Sequence, residues 1–223
     1  MPTTKTCVRE QGSQMSVSSD THREDILRAA IAEFGRVGYS ATSTNEIIKQ
    51  AKVSKGLLFH HFTNKEKLYE ACHIHVMEHF GRLLVDRLDV SISDFFERTL
   101  YTLKIKMELG CKYPEFLSFV NRAWYLDEEN IPFNREELHT IVMDLLGERG
   151  VAFASNQGID TTWFKDGYEL AKLVDYTRII IDATWMRFSR KYDNDMNSMI
   201  ENIGAYMSEV EEIITLFRDG AYK

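Results

Sequence analysis

The sequence predicts an all-α protein, and three observations carry that reading. Only three prolines and twelve glycines interrupt 223 residues. Apolar residues recur at three-and-four spacing in one stretch after another, and no run of short β-branched segments lies between turn signals. Long helices follow from this pattern, and a sandwich, a barrel or a wound sheet does not.

Residues 1–19 are rich in Ser, Thr and Gln with little to bury, and they read as a disordered arm or a cloning remnant. At Asp20 or Thr21 a helix can be capped. Ile26, Leu27, Ala30, Ile31 and Phe34 then form one apolar face until Gly38 stops it. A short link leads to Thr44 as N-cap of a brief second helix, with Glu46 in its first turn and Ile47, Ile48 and Ala51 on one side. Lys52 and Val53 make a tight connection, Ser54 caps again, and Lys55 to His61 forms a third helix. Two short helices joined this closely are a helix-turn-helix unit.

A long pattern runs from Lys65 to about Leu88. Further helical stretches span Ser93 to Leu109, Pro114 to Tyr125, Asn134 to Arg149, Asp166 to Lys191 and Asp195 to Asp219. The breakers between them are Gly110 with Pro114, Asp127 to Pro132, and Ser155 to Gly158. Three regions result: the arm at 1–19, a helix-turn-helix domain at 20–67, and a larger helical domain at 68–223.

Hydrophobic residues make up 44% and charged residues 27%, a globular rather than a disordered balance. No stretch approaches the roughly 18 consecutive apolar residues of a membrane span, and no signal peptide opens the chain, so a cytoplasmic protein without a membrane partner is expected. Cys7, Cys72 and Cys111 are odd in number and far apart, which argues for reduced thiols and against a Cys-type zinc site. Cys72, His75 and His79 share a helical face at metal-ligand spacing, but no fourth ligand accompanies them, and neither a metal nor another cofactor is expected.

The net charge of −7 alone argues against nucleic acid, but it conceals an asymmetry. Residues 36–67 hold six basic side chains (Arg36, Lys49, Lys52, Lys55, Lys65, Lys67) against two acidic ones (Glu46, Glu66), whereas residues 71–223 hold 17 basic and 26 acidic ones. One end therefore suits an anion and the rest suits something else. Helix starts near Thr44, Ser54 and Lys65 expose N–H groups that suit phosphate oxygens, Lys55 and Lys65 add charge, and Gly56 permits a close approach. Ile47, Val53, Leu58 and Phe62 are needed for a small core, and Lys52 and Lys67 are read as solvated surface.

The segment from residue 42 to 68, TSTNEIIKQAKVSKGLLFHHFTNKEKL, resembles the DNA-binding domain of the TetR family of bacterial transcriptional regulators. The resemblance covers roughly residues 22–70. It implies that the third helix reads the major groove of an operator, with contacts from Thr44, Lys55, Gly56, Leu57, Phe59, His60, His61 and Lys65. Leu57 stands where Thr is frequent, Phe59 where Tyr gives a hydroxyl to a phosphate, and His61 where Tyr or Asn is common.

The wide apolar arcs of residues 166–191 and 195–219 are those of helices deeply buried or shared with a second copy. The resemblance implies a homodimer built on residues 166–219, with Gly204 allowing close approach. It also implies an unidentified small-molecule effector, and the aromatics Phe119, Trp124, Tyr125, Trp163, Tyr168 and Tyr176 are the candidates for its pocket. Aromatic faces beside carboxylates suggest a lipophilic cation, while aromatics at helical spacing also serve as core.

The expected function is a homodimeric repressor released from a palindromic double-stranded DNA operator by that effector. An activator, a DNA-organising factor, or an enzyme or interaction module with a vestigial DNA domain are the alternatives. No Gly-rich phosphate loop, His-Glu-x-x-His motif, Gly-x-Ser-x-Gly elbow or EF-hand loop occurs, so an enzyme is not expected.

Overall fold

The computed structural model describes residues 12–126 and 134–223. Among the described residues ten α-helices follow one another: α1 (Gly12–Ala41), α2 (Thr44–Ala51), α3 (Lys55–His61), α4 (Lys65–Val85), α5 (Phe95–Lys112), α6 (Pro114–Asn121), α7 (Arg135–Ala154), α8 (Leu170–Lys191), α9 (Met196–Glu201) and α10 (Ile203–Ala221). A π-helical turn, Arg122–Leu126, continues α6, and a 3-10 turn, Thr161–Trp163, precedes α8. Among the described residues there is no strand, only an isolated bridge between Phe164 and Tyr222.

Two apolar cores organise these helices. The first joins α1 to α4 with α6, through Ile26, Leu27, Ile31, Phe34, Ile47, Leu58, Phe62, Leu68, Tyr69, Phe116 and Phe119. The second joins α5, α8, α9 and α10 through Phe96, Leu103, Leu173, Trp185, Phe188, Met199, Tyr206, Val210 and Ile214. Leu68 and Tyr69, just past residue 67, bury in this first core against the helices that precede them.

The α1–α6 contact is unusually close. A Cβ on Gly35 would stand 3.0 Å from the Phe119 nitrogen and 3.1 Å from Ser118 Oγ, so only a glycine lets the two backbones meet there. Ser118 Oγ donates to Gly35 O at 3.2 Å, and Arg122 Nη2 donates to Arg36 O at 3.1 Å. On the opposite side of α1, the nearly buried Glu33 carboxylate accepts from Arg36 at 2.7 and 3.0 Å and from Gln50 of α2 at 3.2 Å.

Several boundaries differ from the sequence reading for identifiable reasons. The α1 backbone is already helical at Gly12, inside the stretch read as an arm, because extending a formed helix costs far less than starting one. Residues 1–11, with Cys7, and the linker at Asp127–Pro132 lie outside the described residues. Gly38 does break the helical path, with φ 83 and ψ 171, and Thr42 closes the corner on its carbonyl at 3.2 Å through N–H and 2.6 Å through Oγ1.

Gly110 does not end α5. It lies inside the helix, buried where Leu117 of α6 packs, and a Cβ there would meet Leu117 Cδ2 at 2.8 Å. The stretch 195–219 is two helices instead of one, parted at Asn202. Residues 166–169 lie outside α8, which starts at Leu170. Cys72 and Cys111 are free thiols.

Arg36 hydrogen bonds hold the Glu33 carboxyl below the usual carboxylate range against the opposing effect of burial. Its stabilisation is therefore complete above the unfolded pKa of about 4.3 and is lost as pH falls through the lower folded value. Glu33→Ala is expected to cost about 1–3 kcal/mol in denaturant unfolding at neutral pH and to lessen the loss of stability on acidification.

Candidate nucleic-acid interface

The helix-turn-helix is built from side-chain caps. Ser43 Oγ accepts from Asn45 N at 3.3 Å at the start of α2, Ser54 Oγ from Leu57 N at 3.1 Å at α3, and Asn64 Oδ1 from Lys67 N at 2.8 Å at α4. The cap of α2 is thus Ser43, and Thr44 is the first helical residue, half-buried. Either side chain can cap, and the one whose backbone is extended (φ −99, ψ 126) does so. Between α2 and α3, Lys52 adopts the left-handed conformation, φ 56 and ψ 38, and its N–H satisfies carbonyls of Ile48 and Lys49.

This corner sets what α3 exposes. Leu58 is fully buried and Phe62 nearly so, while Lys55, Gly56 and His60 face outward. Leu57 is half-buried. Phe59 is also half-buried and packs on the first core, so the sequence-predicted contact is partly a core residue. The His61 ring is half-buried and stands edge-on to His60 at 5.5 Å. A Cβ on Gly56 would meet only Ser54 Oγ, at 4.0 Å, so nothing in the free protein requires glycine at that position.

Lys65 is placed differently from Lys55. Its ammonium lies 4.7 Å from the centre of the Tyr39 ring and donates to Ser40 O at 3.3 Å, and burial lowers its pKa. The first residue of α4 is thereby tied to the corner between α1 and α2. Lys67 is paired with Glu70 at 2.6 Å, an exposed pair in keeping with its reading as surface. Lys49, Lys52 and Lys55 remain exposed on the same small domain.

The predicted effector aromatics are not gathered in one place. Phe119 is core, 4.7 Å from His73 and 5.6 Å from Tyr69. Trp124 is half-buried against the same core. Trp163 stands edge-on to Tyr222, Tyr176 lies beside Phe217, and both are exposed, as is Tyr168. Tyr125 alone points a hydroxyl inward, donating to Asp182 Oδ1 at 2.9 Å. Cys72 is buried in the first core, while the His75 and His79 rings stack 6.3 Å apart beside Phe116. Among the described residues no group of three His, Cys, Asp or Glu side chains is placed to hold a metal ion.

Asp182 of α8, a charged residue not singled out from the sequence, is half-buried in the larger domain as the acceptor of the Tyr125 hydroxyl.

The family model described as "Bacterial regulatory proteins, tetR family" matches residues 26–72, the stretch that carries the three capped helices. Over those residues the chain is similar to the TetR family. Solved TetR-family regulators share its fold over almost the whole length. One from Shewanella is 21% identical, with a TM-score of 0.59 and coverage of 91% of this chain and 98% of that one. Another from Chloroflexus aurantiacus is 17% identical, with a TM-score of 0.62 and coverage of 92% and 94%.

The HTH-type transcriptional repressor NicS of Pseudomonas putida is 25% identical over 120 residues, 54% of this chain and 53% of that one. The HTH-type transcriptional regulator QacR of Staphylococcus aureus is 45% identical over 47 residues, 21% of this chain and 25% of that one. The chain thus spans about half the length of the first TetR-family relative and a quarter of the second. Among the described residues no helix is long and apolar enough to cross a membrane.

Lys55→Ala is expected to weaken binding to all DNA sequences alike and to reduce the slope of log affinity against log salt by about 1, read from titrations at several salt concentrations. Gly56→Leu is expected to leave the melting temperature of the free protein unchanged or higher, since the position opens on empty space, and to cost about tenfold or more in DNA affinity.

Proposed function

We propose that this chain is a homodimeric transcriptional repressor that binds a palindromic operator and leaves it when a small molecule enters the larger domain. The observation that carries the reading is the outward edge of α3, where Lys55, Gly56 and His60 are exposed while Leu58 and Phe62 anchor the helix from behind. In this reading Lys55 and the N–H groups at the start of α2 take phosphates, Gly56 lets the backbone come close, and His60, His61 and Leu57 meet base edges or the thymine methyl. Thr44 and Phe59 contribute at the rim. Lys65 reaches a phosphate only by giving up its place over Tyr39.

A single recognition helix reads too few bases for useful specificity, so a second copy is needed. Exposed apolar side chains on α8 and α10 support where it docks: Ile179 is 59% exposed and Leu216 67%. A Cβ on Gly204 would meet nothing, so that helix surface is open for a close neighbour. The dimer then sets the separation of the two α3 helices, about 34 Å for consecutive major grooves. An effector that favours a different separation lowers operator affinity by its differential affinity for the two forms. That the Pseudomonas relative is a transcriptional repressor supports the sign of the regulation.

Selection from a random double-stranded DNA pool at near-physiological salt is expected to enrich an inverted repeat. Enrichment of a single half-site, or of nothing, would overturn the dimeric-repressor reading. Ile179→Glu with Leu216→Glu is expected to give a folded monomer by sedimentation that no longer retains the inverted repeat, with affinity down about a hundredfold or more.

A further inference from the structure

The α3 helix offers few groups to the outside. Lys55, Gly56 and His60 are exposed, Leu58 is buried, and Leu57, Phe59 and His61 are half-buried. Gly56 has no side chain, so the outward side chains of this helix are one ammonium and one imidazole. Lysine carries its charge throughout the physiological range, whereas an imidazole titrates near pH 6.5 and is charged or neutral according to what faces it.

Among the described residues no hydrogen bond or ion pair holds the His60 ring, and its contact is the edge of the His61 ring, 5.5 Å away between centres. The charged groups on the surrounding elements are engaged elsewhere or cationic. From α1 come half-buried His22 and Arg23, whose guanidinium lies over the Phe62 ring at 5.5 Å. Asp25 pairs with Arg28, and the charge of Glu24 acts on His75 of α4. From α2 and the turn after it come Glu46, Lys49 and Lys52, all exposed. At the start of α4, Lys65 sits over Tyr39, the charge of Glu66 acts on the Tyr39 hydroxyl, and Lys67 pairs with Glu70. A counter-ion for His60 has to come from outside the chain.

We propose that His60 meets DNA as the imidazolium, donating to an acceptor atom of the operator, so that each α3 takes up about one proton on binding. The inference rests on the reading of α3 as the recognition helix. A phosphate oxygen, or a guanine edge with its O6 and N7, supplies the acceptor that a donor-only ring needs. His61 does not charge together with His60, because like charges so close disfavour one another. Operator affinity thereby acquires one fixed charge and one conditional charge on the same helix.

Affinity of the full-length protein for the selected inverted repeat, read by fluorescence anisotropy at constant salt, is expected to rise about tenfold or more from about pH 8 to about pH 6. Calorimetric titrations in two buffers of different ionisation enthalpy should report net proton uptake. His60→Gln keeps a polar side chain on an exposed position, so it should leave the melting temperature unchanged and remove most of the rise. Lys55→Ala should weaken binding at both pH values and keep the rise, and His61→Gln should keep it too. His60→Gln losses that are equal on all duplexes would assign the acceptor to a phosphate. Losses confined to the operator, with a guanine preference relaxed at one position, would assign it to a base.

Equal affinity at both pH values, no proton uptake, or a rise undiminished in His60→Gln would overturn the charged contact. Each of these leaves the inverted repeat itself in place, so the dimeric-repressor reading survives them. Failure to select any sequence would overturn that reading and this contact together.

Discussion

The backbone approach of α1 to α6 at Gly35 is the constraint on which the arrangement of this molecule depends. Helices ordinarily pack with side chains between them, at 8–10 Å between axes. Here a side chain has been removed so that α1 can rest on the Phe119 peptide itself, and the Ser118 and Arg122 hydrogen bonds hold it there. With α1 fixed, Glu33 fixes α2 through Gln50, and Phe34 fixes Tyr69 of α4 at 4.7 Å. The small amino-terminal unit therefore does not hang on a linker. It shares a core with α6, and the orientation of α3 is set by packing that reaches the larger domain.

How much of this was legible in the sequence depended on how local the signal was. The corner at Gly38, the caps at Ser54 and near Lys65 and the exact span of α3 were readable because each is decided by two or three neighbouring residues. The break at Asn202 was not, since neither glycine nor proline marks it and the apolar stripe continues on both sides. Gly110 misled in the opposite direction. A glycine within a helix usually reads as a stop, but the residue that explains this one is Leu117, seven positions away on another helix.

The candidate contacts divide along the same line. Lys55, Gly56 and His60 could be assigned from helix position alone, while the Lys65 ammonium over the Tyr39 ring depends on a meeting between residues 26 positions apart. The six aromatics proposed for a pocket illustrate the limit of composition. Hydrophobicity says that Phe119 and Trp163 will seek cover, not which cover, and one is core while the other lies open at the surface.

The bond between Lys65 and the corner at Tyr39 and Ser40 gives α4 a mechanical property that its sequence does not advertise. Twenty-one residues at 1.5 Å each make a rod about 30 Å long, rooted at one end in the larger domain and clamped at the other to the turn that carries α2 and α3. A pivot of one degree at the Val85 end carries the Lys65 end sideways by about half an ångström over that length. A few degrees, less than a side-chain rotamer change can demand of a helix, move the clamped corner by more than the tolerance of a hydrogen bond. Stiffness along the rod thus converts a small angular disturbance deep in the protein into a displacement on the scale at which phosphate contacts are made or lost.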